Sequence, residues 1–529
     1  MAETRAVADT VSNGNAISHK AMIVSPHTAS AEAGARVLRR GGNAIEAVIA
    51  AGAALSVTYP HFCGLGGDAI WIVSDEAGAS EVFIGIGQAA QDIPQFGDGI
   101  PLRGPLSTLT AACLVDSWDC VINYSATHWQ GRETLSDLLE HAIVLADEGF
   151  DVSHSQAFWH DFRKNEVSGW HGFASTFRSA GLQRQPALAR TLQTIAENGA
   201  RDFYEGALAH RIAAGLKEAG SPLTAADLAA VRTRCEKPWR LDYNGRTLLA
   251  PPPPAQGVTT LQIMGILQYL EMARFDPGSA DFYHHLVEAV KQAFVDRGSI
   301  ADPDFATIPL EWLSDDCLRA KSQNIRPDHA LVWPQPFRHG DTAFIGAVDD
   351  KGRAVSMLQS IYFDWGSGVV VGDTGILWQN RGAAFSLDPK SPNVLQPGKR
   401  PFYTLNPGMA LKAGRPDMVY GTQGADGQPQ TLSLLLSLLI DHDLSPHDAL
   451  SHPRFLLGKT FSDTNDSLKV EAGGSKTLEA ELAARGHVVS MIDQLSPLGG
   501  QAGVIRRQPG GSWVGAHDPR SDGGAIGIS

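Results

Sequence analysis

The sequence is short of the features that mark several large functional classes. Its five cysteines, Cys63, Cys113, Cys120, Cys235 and Cys317, are odd in number and lack CxxC spacing, so neither a disulfide framework nor a zinc site is indicated. Cys63 adjoins a glycine cluster, but without a matching His/Asn context it reads as a small buried hydrophobe and not a nucleophile. No basic cluster interrupts the chain, and the net charge of −14 is spread along it, which argues against nucleic acid or an anionic membrane surface as partner. The longest apolar stretch, Ala44 to Tyr59, contains Glu46 and falls short of the roughly 20 residues that span a bilayer. MAETRAVADTVSNGNAISHK has no apolar run after its charges, so no secretory signal is expected and the cytoplasm is the expected compartment.

What the chain does have is an ordinary soluble composition, 43% apolar and 19% charged over 529 residues, enough for a large core and without the profile of a disordered tail. AEAGARVLRR and GGNAIEAVIAAGAAL read as two helices broken at Gly41-Gly42, the second without a polar face and therefore buried. GLGGDA could cradle an anion, but it lacks the Lys-Ser/Thr ending of a P-loop, and tight backbone packing is the plainer use of its glycines. Residues 135–228 are mainly helical by periodicity. APPPPAQG (250–257) cannot continue a helix or a central strand and is expected as an exposed or wall-lining segment. Two strong helices follow, the second stopped near Gly298 and Asp302-Pro303.

From Lys321 to Arg338 three prolines and few periodic apolar residues suggest an exposed linker. Beyond it the character changes: TAFIGAVDD, GRAVSMLQSIYF and VVVGDTGILWQN are strand-like, and TLSLLLSLLIDHDL is an apolar helix. Stacked helix and sheet layers are therefore expected, not a dinucleotide-binding repeat. Thr342 opens the first of these strands, and a threonine there needs no explanation beyond strand preference. It gains another reading if the Asp341-Thr342 bond is cut. A hydroxyl nucleophile needs a base, and a threonine that begins a chain carries one in its own α-amine, whose pKa of about 7.7 to 8.0 suits proton transfer in both directions near neutrality.

Over nearly its whole length the sequence resembles the γ-glutamyltranspeptidase family of N-terminal-nucleophile hydrolases. The resemblance is carried by SPHTASAEAGARVLRRGGNAIEAVIAA, CGLGGDA, PPPPAQG and EAVKQAFVDRGSIADPDF, then by GDTAFIGAVDDKGRAVS, GSGVVVGDTGILWQN, FSLDP, PGKRPFYTLNPGMAL and HDPRSDGGAIG, in that order. It implies an α+β fold, a four-layer αββα sandwich, made from a precursor that cuts itself before the catalytic threonine. Residues 1–341 would form a large subunit and 342–529 a small one, an intertwined heterodimer, with pairing of heterodimers left open. By the same resemblance Thr342 is the nucleophile, and Ser360 falls where the family has a threonine that bonds it. Gly424 and Ala425 fall at the Gly-Gly pair whose N–H groups form the oxyanion hole. No cofactor or metal is implied, and His27, His61, His284, His285 and His517 receive no catalytic role.

The departures from the family concern the substrate. In NRGAAFS, Arg381 stands where a glutamine and Ala384 where an aspartate would hold a γ-glutamyl α-amino group, so no carboxylate remains there for an ammonium. VFIGIGQAAQD (82–92) lacks the arginine that binds the α-carboxylate, and Tyr403-Thr404 replaces a Ser-Ser pair. A guanidinium can hold a carboxylate by two parallel hydrogen bonds. The expected substrate is thus a small anionic amide without an α-amino group, bound by Arg381 with hydroxyls from Tyr403 and Thr404, in a pocket narrowed by Tyr362 or Trp365. Oxamate is the smallest such molecule, and hydrolysis to oxalate and ammonia would serve nitrogen salvage. The alternatives are a γ-glutamyl hydrolase or transferase acting on glutathione, and an acylase for longer dicarboxylic monoamides; pocket size is not legible in the sequence.

Overall fold

Alternation along the strand Asp341–Val348 sets out the architecture. Ala343, Ile345 and Ala347 pack with helices 28–39 and 44–58, whereas Phe344 and Val348 pack against strands of a second sheet, as a period of two requires when both faces are buried. The computed structural model describes residues 12, 14–333, 341–460 and 463–529. Most of the N-terminal segment read above for a signal, and Pro334 and Pro336 of the expected linker, lie outside the described residues.

Two seven-stranded antiparallel sheets stack face to face. In order across the first are Gly524–Ile528, Ala21–Ser25, Asp341–Val348, Ala354–Tyr362, Asp68–Ser74, Ser80–Gly85 and Arg234–Glu236. Across the second are Ala16–Ser18, Trp513–His517, Ala502–Arg507, Arg415–Thr422, Gly408–Lys412, Arg246–Ala250 and Trp239–Tyr243. Ile70, Ile72 and Leu358 of the first sheet meet Leu249, Met409 and Val419 of the second. Helices Gly257–Gln268, Ala280–Arg297 and Gln428–Ile440 cover the outer face of the second sheet. The result is the four-layer αββα order, and each sheet contains strands from both before and after Asp341.

The two expected N-terminal helices span Thr28–Arg39 and Ala44–Thr58, and every residue of the second is buried. Its start is fixed by a capping box, Asn43 with Glu46. The region 135–228 is mainly helical. VVVGDTGILWQN forms less strand than expected, only Val370–Val371 and Ile376–Leu377, because its glycines bend the backbone through positive φ at Gly372 and Gly375.

Over its described part the expected linker is mostly exposed, but its start is helical and its end is anchored. Residues 315–323 are helical, and Leu331 is clipped to helix Ala280–Arg297. Its N–H donates to Glu288 (2.9 Å) and its carbonyl accepts from Lys291 Nζ (2.5 Å). Prolines rule out regular structure but not anchoring by a neighbouring helix.

The proline run is a buried wall and not an exposed one. Tyr403 donates its N–H to Pro254 O (2.8 Å), and Gln256 donates its N–H to Tyr403 O (2.9 Å).

Candidate active site

Thr342 lies at an irregularity in the strand pairing. Asp341 stands opposite Tyr362, but the register shifts before Ala343 meets Gln359. Its side chain is buried, and Thr342 Oγ1 accepts a hydrogen bond from Gln428 Nε2 at 3.3 Å. Gln428 opens the helix Gln428–Ile440, with Pro429 in its first turn, a position that suits proline because it has no N–H to pair. The Thr342 oxygen is thus contacted by a side-chain amide from the first residue of that helix. Gln428 is a site residue that the family motifs did not single out; the proline marking the helix start was the available signal.

Ser360 is close by, but its bond differs from the expected one. Its hydroxyl donates to the Asp341 carbonyl oxygen at 2.5 Å and accepts the Tyr362 N–H at 2.8 Å, so in this uncut chain it addresses the Asp341 carbonyl and not the Thr342 side chain. The Asp341 carboxyl is buried, and Oδ2 has no hydrogen-bond partner among the described residues. Burial, and then Asp364, push it well above the usual carboxylate range. Asp364 itself is clamped by Arg163 and Arg103.

Gly424 and Ala425 form a left-handed turn, with φ of 116° and 42°. Their N–H groups donate no hydrogen bond among the described residues, and unpaired amides are what an oxyanion hole requires. Ala425 adopts the conformation a glycine pair favours, at a cost of about 1 kcal/mol for its Cβ. The turn is held by Gln256, whose Nε2 donates to Ala425 O (2.8 Å) and Thr404 O (2.7 Å). Gln256 Oε1 accepts from Arg297 Nε (3.0 Å) and Nη2 (2.9 Å), and Arg297 also pairs with Asp426. One side chain from the proline wall thus joins the turn to the Tyr403-Thr404 segment.

Arg381 is fully buried. Its guanidinium lies between the rings of Tyr362 (3.7 Å) and Tyr403 (3.8 Å), and Nη1 donates to Thr404 Oγ1 at 3.3 Å. Nε and Nη2 have no hydrogen-bond partner among the described residues. These two N–H groups form the side edge of the guanidinium, which binds a carboxylate bidentately. Tyr403 differs from expectation in one respect: its hydroxyl donates to Asp68 Oδ2 (2.7 Å), so it turns its ring toward Arg381. Ala384 packs with Tyr362 and Phe363 in an apolar cluster. Trp365 lies among His61, Phe173 and Phe177, and the pocket-narrowing ring beside Arg381 is that of Tyr362.

Asp68 is the residue that local reading of GLGGDA passed over. The glycines do serve close packing, since a Cβ on Gly67 would lie 2.3 Å from Ser360 O. Asp68 then begins the strand, paired directly with Ser360, and shares its face with the inward Ile70 and Ile72. Oδ1 accepts the N–H groups of Cys113 (2.8 Å) and Gly87 (3.2 Å). Burial pushes its carboxyl up to about 6, opposed by the Tyr403 hydroxyl and the Arg381 cation.

Cys63 is buried and its thiol is pushed up to about 12 by burial, which disfavours the nucleophilic thiolate. His284, Glu288 and His487 gather ligand-type atoms within 4.8 Å of one another. Both His284 nitrogens and both Glu288 oxygens are already bonded within the protein, to His487, Arg326 O, Lys291 and Leu331.

A family model described as Gamma-glutamyltranspeptidase matches residues 30–528. The chain is 41% identical over 525 residues to the oxamate amidohydrolase proenzyme of Klebsiella pneumoniae, covering 97% of this chain and 99% of that protein. It is 40% identical over 531 residues to the glutathione hydrolase-like YwrD proenzyme of Bacillus subtilis, covering 98% and 100%. The crystal structure of cephalosporin acylase from Bacillus halodurans superposes with a TM-score of 0.88 at 29% identity, covering 100% of this chain and 99% of that one. No helix among the described residues is long and apolar enough to cross a membrane.

Proposed function

The chain belongs to the gamma-glutamyltranspeptidase family and is an amide-hydrolysing enzyme, and on its site geometry we propose that it matures by cutting its own Asp341-Thr342 bond and then hydrolyses oxamate to oxalate and ammonia. The observation that carries the substrate is the open Nε/Nη2 edge of Arg381, buried between two tyrosine rings with no carboxylate at Ala384 to receive an ammonium.

In maturation Thr342 Oγ1 attacks the Asp341 carbonyl carbon while the Ser360 hydroxyl bonds the oxygen that becomes negative. The C–N bond breaks as the ester forms, and the hydroxyl proton passes to the departing nitrogen. Water then hydrolyses the ester, leaving a carboxylate on Asp341 and a free α-amine on Thr342. In turnover that amine takes the proton of Oγ1, which attacks the oxamate amide carbon. The Gly424 and Ala425 N–H groups receive the oxyanion, and Arg381 holds the carboxylate. Ammonia leaves with a proton returned by the ammonium, and water, deprotonated by the same amine, releases oxalate from the threonine ester. The products 1–341 and 342–529 would remain together as a heterodimer.

Ammonia release from oxamate, with none of the chromophore from γ-glutamyl-p-nitroanilide, is the expected outcome of a paired assay. The reverse result would transfer the chain to the glutathione hydrolases. Activity only on longer dicarboxylic monoamides would make it an acylase, as in the superposed structure. Thr342→Ala should leave a single band near 56 kDa on denaturing electrophoresis and no activity.

A further inference from the structure

Asp68 has no part in the mechanism above, yet its carboxylate is fully buried within the same group of side chains. Its three hydrogen-bond donors are neutral: the Tyr403 hydroxyl and the N–H groups of Cys113 and Gly87. The cation that acts on it is Arg381, placed across the Tyr403 ring that lies over the guanidinium. Arg381 and Asp68 therefore balance one another, although no hydrogen bond joins them. A substrate carboxylate on the free edge of Arg381 makes one cation serve two buried anions, which burial disfavours unless one is neutralised.

We propose that Asp68 is a specificity-setting counter-ion: it takes up one proton when a carboxylate enters the open edge of Arg381, and so restricts the site to ligands of single negative charge. The inference rests on Arg381 being the carboxylate receptor. The Asp68–Tyr403 contact accommodates the added proton once the phenolic hydrogen rotates away from Oδ2. A proton on Oδ2 can be donated to the Tyr403 oxygen, the two groups reversing donor and acceptor over the same 2.7 Å contact. The other ionisable groups near Asp68, the Cys113 thiol and the Tyr204 and Tyr403 hydroxyls, are all kept neutral by burial. The carboxyl of Asp68, already raised to about 6 by its own burial, is thus the group that responds to the second anion. Hydrolysis adds a second negative charge to the bound acyl group; Asp68, already protonated, has no further charge to give up, so the dianionic product outweighs the single cation Arg381 and its retention is disfavoured.

Asp68→Asn removes the charge while keeping the shape and an oxygen for the Cys113 and Gly87 amides. Glycolate, a monoanion with no amide to cleave, is the binding probe. Calorimetric titration of wild-type enzyme above about pH 7, in buffers of different ionisation enthalpy, should show close to one proton taken up per glycolate bound. Affinity should rise by up to about tenfold per pH unit on acidification toward pH 6. Asp68→Asn should bind glycolate more tightly near pH 8, with no proton uptake, and its KM for oxamate should not change between about pH 6 and 8. Tyr403→Phe keeps the ring over Arg381 but removes a donor to the charged carboxylate, and should move the steep region to higher pH. Proton uptake absent from wild type, or wild-type pH dependence retained in Asp68→Asn, would overturn the role of Asp68. If Arg381→Ala binds glycolate as well as wild type does, or if wild type neither binds glycolate nor turns over oxamate, the carboxylate reading of Arg381 fails first, and this inference with it.

Discussion

The Ser360 hydroxyl donates to the main-chain oxygen of Asp341 at 2.5 Å, while the Tyr362 N–H supports it from behind at 2.8 Å. A donor aimed at this oxygen would stabilise the charge formed in the proposed attack by Thr342. Ser360→Ala should slow self-cleavage by about 10² to 10³-fold, and Ser360→Thr should largely restore it. The uncut fraction, followed by denaturing electrophoresis after synthesis, measures this directly; a wild-type rate in Ser360→Ala would show the bond to be idle.

Arg381 is predicted to govern oxamate binding without governing maturation. Arg381→Lys keeps the charge but loses the planar fork and most of the stacking between Tyr362 and Tyr403. KM should rise by an amount equivalent to about 1.5 to 3 kcal/mol, and the electrophoretic pattern should be that of the wild type. Comparable loss of self-cleavage would show instead that the arginine supports the fold around Thr342.

Gln256→Ala should lower kcat more than it raises KM. The substitution leaves Thr404 O, Ala425 O and the Arg297 guanidinium without a shared partner, at about 1 to 3 kcal/mol for each buried group left unsatisfied. The oxyanion turn and the Arg381 side of the site would lose their common anchor. Steady-state kinetics with a melting curve would check this: a lower melting temperature with unchanged kcat would confine Gln256 to stability.

Acid sensitivity should come from buried histidines. His517 and His27 are each held down to about 4 by burial, whereas in an unfolded chain histidine titrates near 6.5. Between those values the unfolded state binds protons that the folded state refuses. Stability should therefore fall as pH drops from about 6.5 toward 4 and level off below, by up to about 1.4 kcal/mol per pH unit for each group. His517→Gln, which can still bond Ser521 in place of the 2.8 Å imidazole contact, should flatten this slope by one proton. Urea unfolding of the uncut Thr342→Ala protein at pH 7 and pH 5 provides the measurement.

Local pattern was informative wherever the determining contacts are close in sequence. The break at Gly41-Gly42, the buried helix Ala44–Thr58 and the strand beginning at Asp341 all follow from periodicity and turn residues. Asp68, Gln256 and Gln428 were less accessible because their partners lie 335, 148 and 86 residues away. Nothing near Gln256 indicates that it spans two loops of the other half of the chain. Asp68 was partly legible, since Asp68, Ile70 and Ile72 recur at the strand period, but reading GLGGDA as a glycine motif obscured that alternation. Ala425 was legible as a residue with an N–H to offer but not as a conformation; its φ of 42° places the alanine in the left-handed region.

The order of strands in the first sheet places Asp341–Val348 and Ala354–Tyr362 between Ala21–Ser25 and Asp68–Ser74. A single cut at Asp341-Thr342 would leave that order intact while changing the folding problem. The precursor assembles the sheet in one molecular event, but after the cut, chains once separated must meet again, and recovery depends on their concentration. The mature enzyme would owe its persistence to slow unfolding more than to a favourable return from the unfolded state, so heat or denaturant that only pauses the precursor could retire the processed form for good.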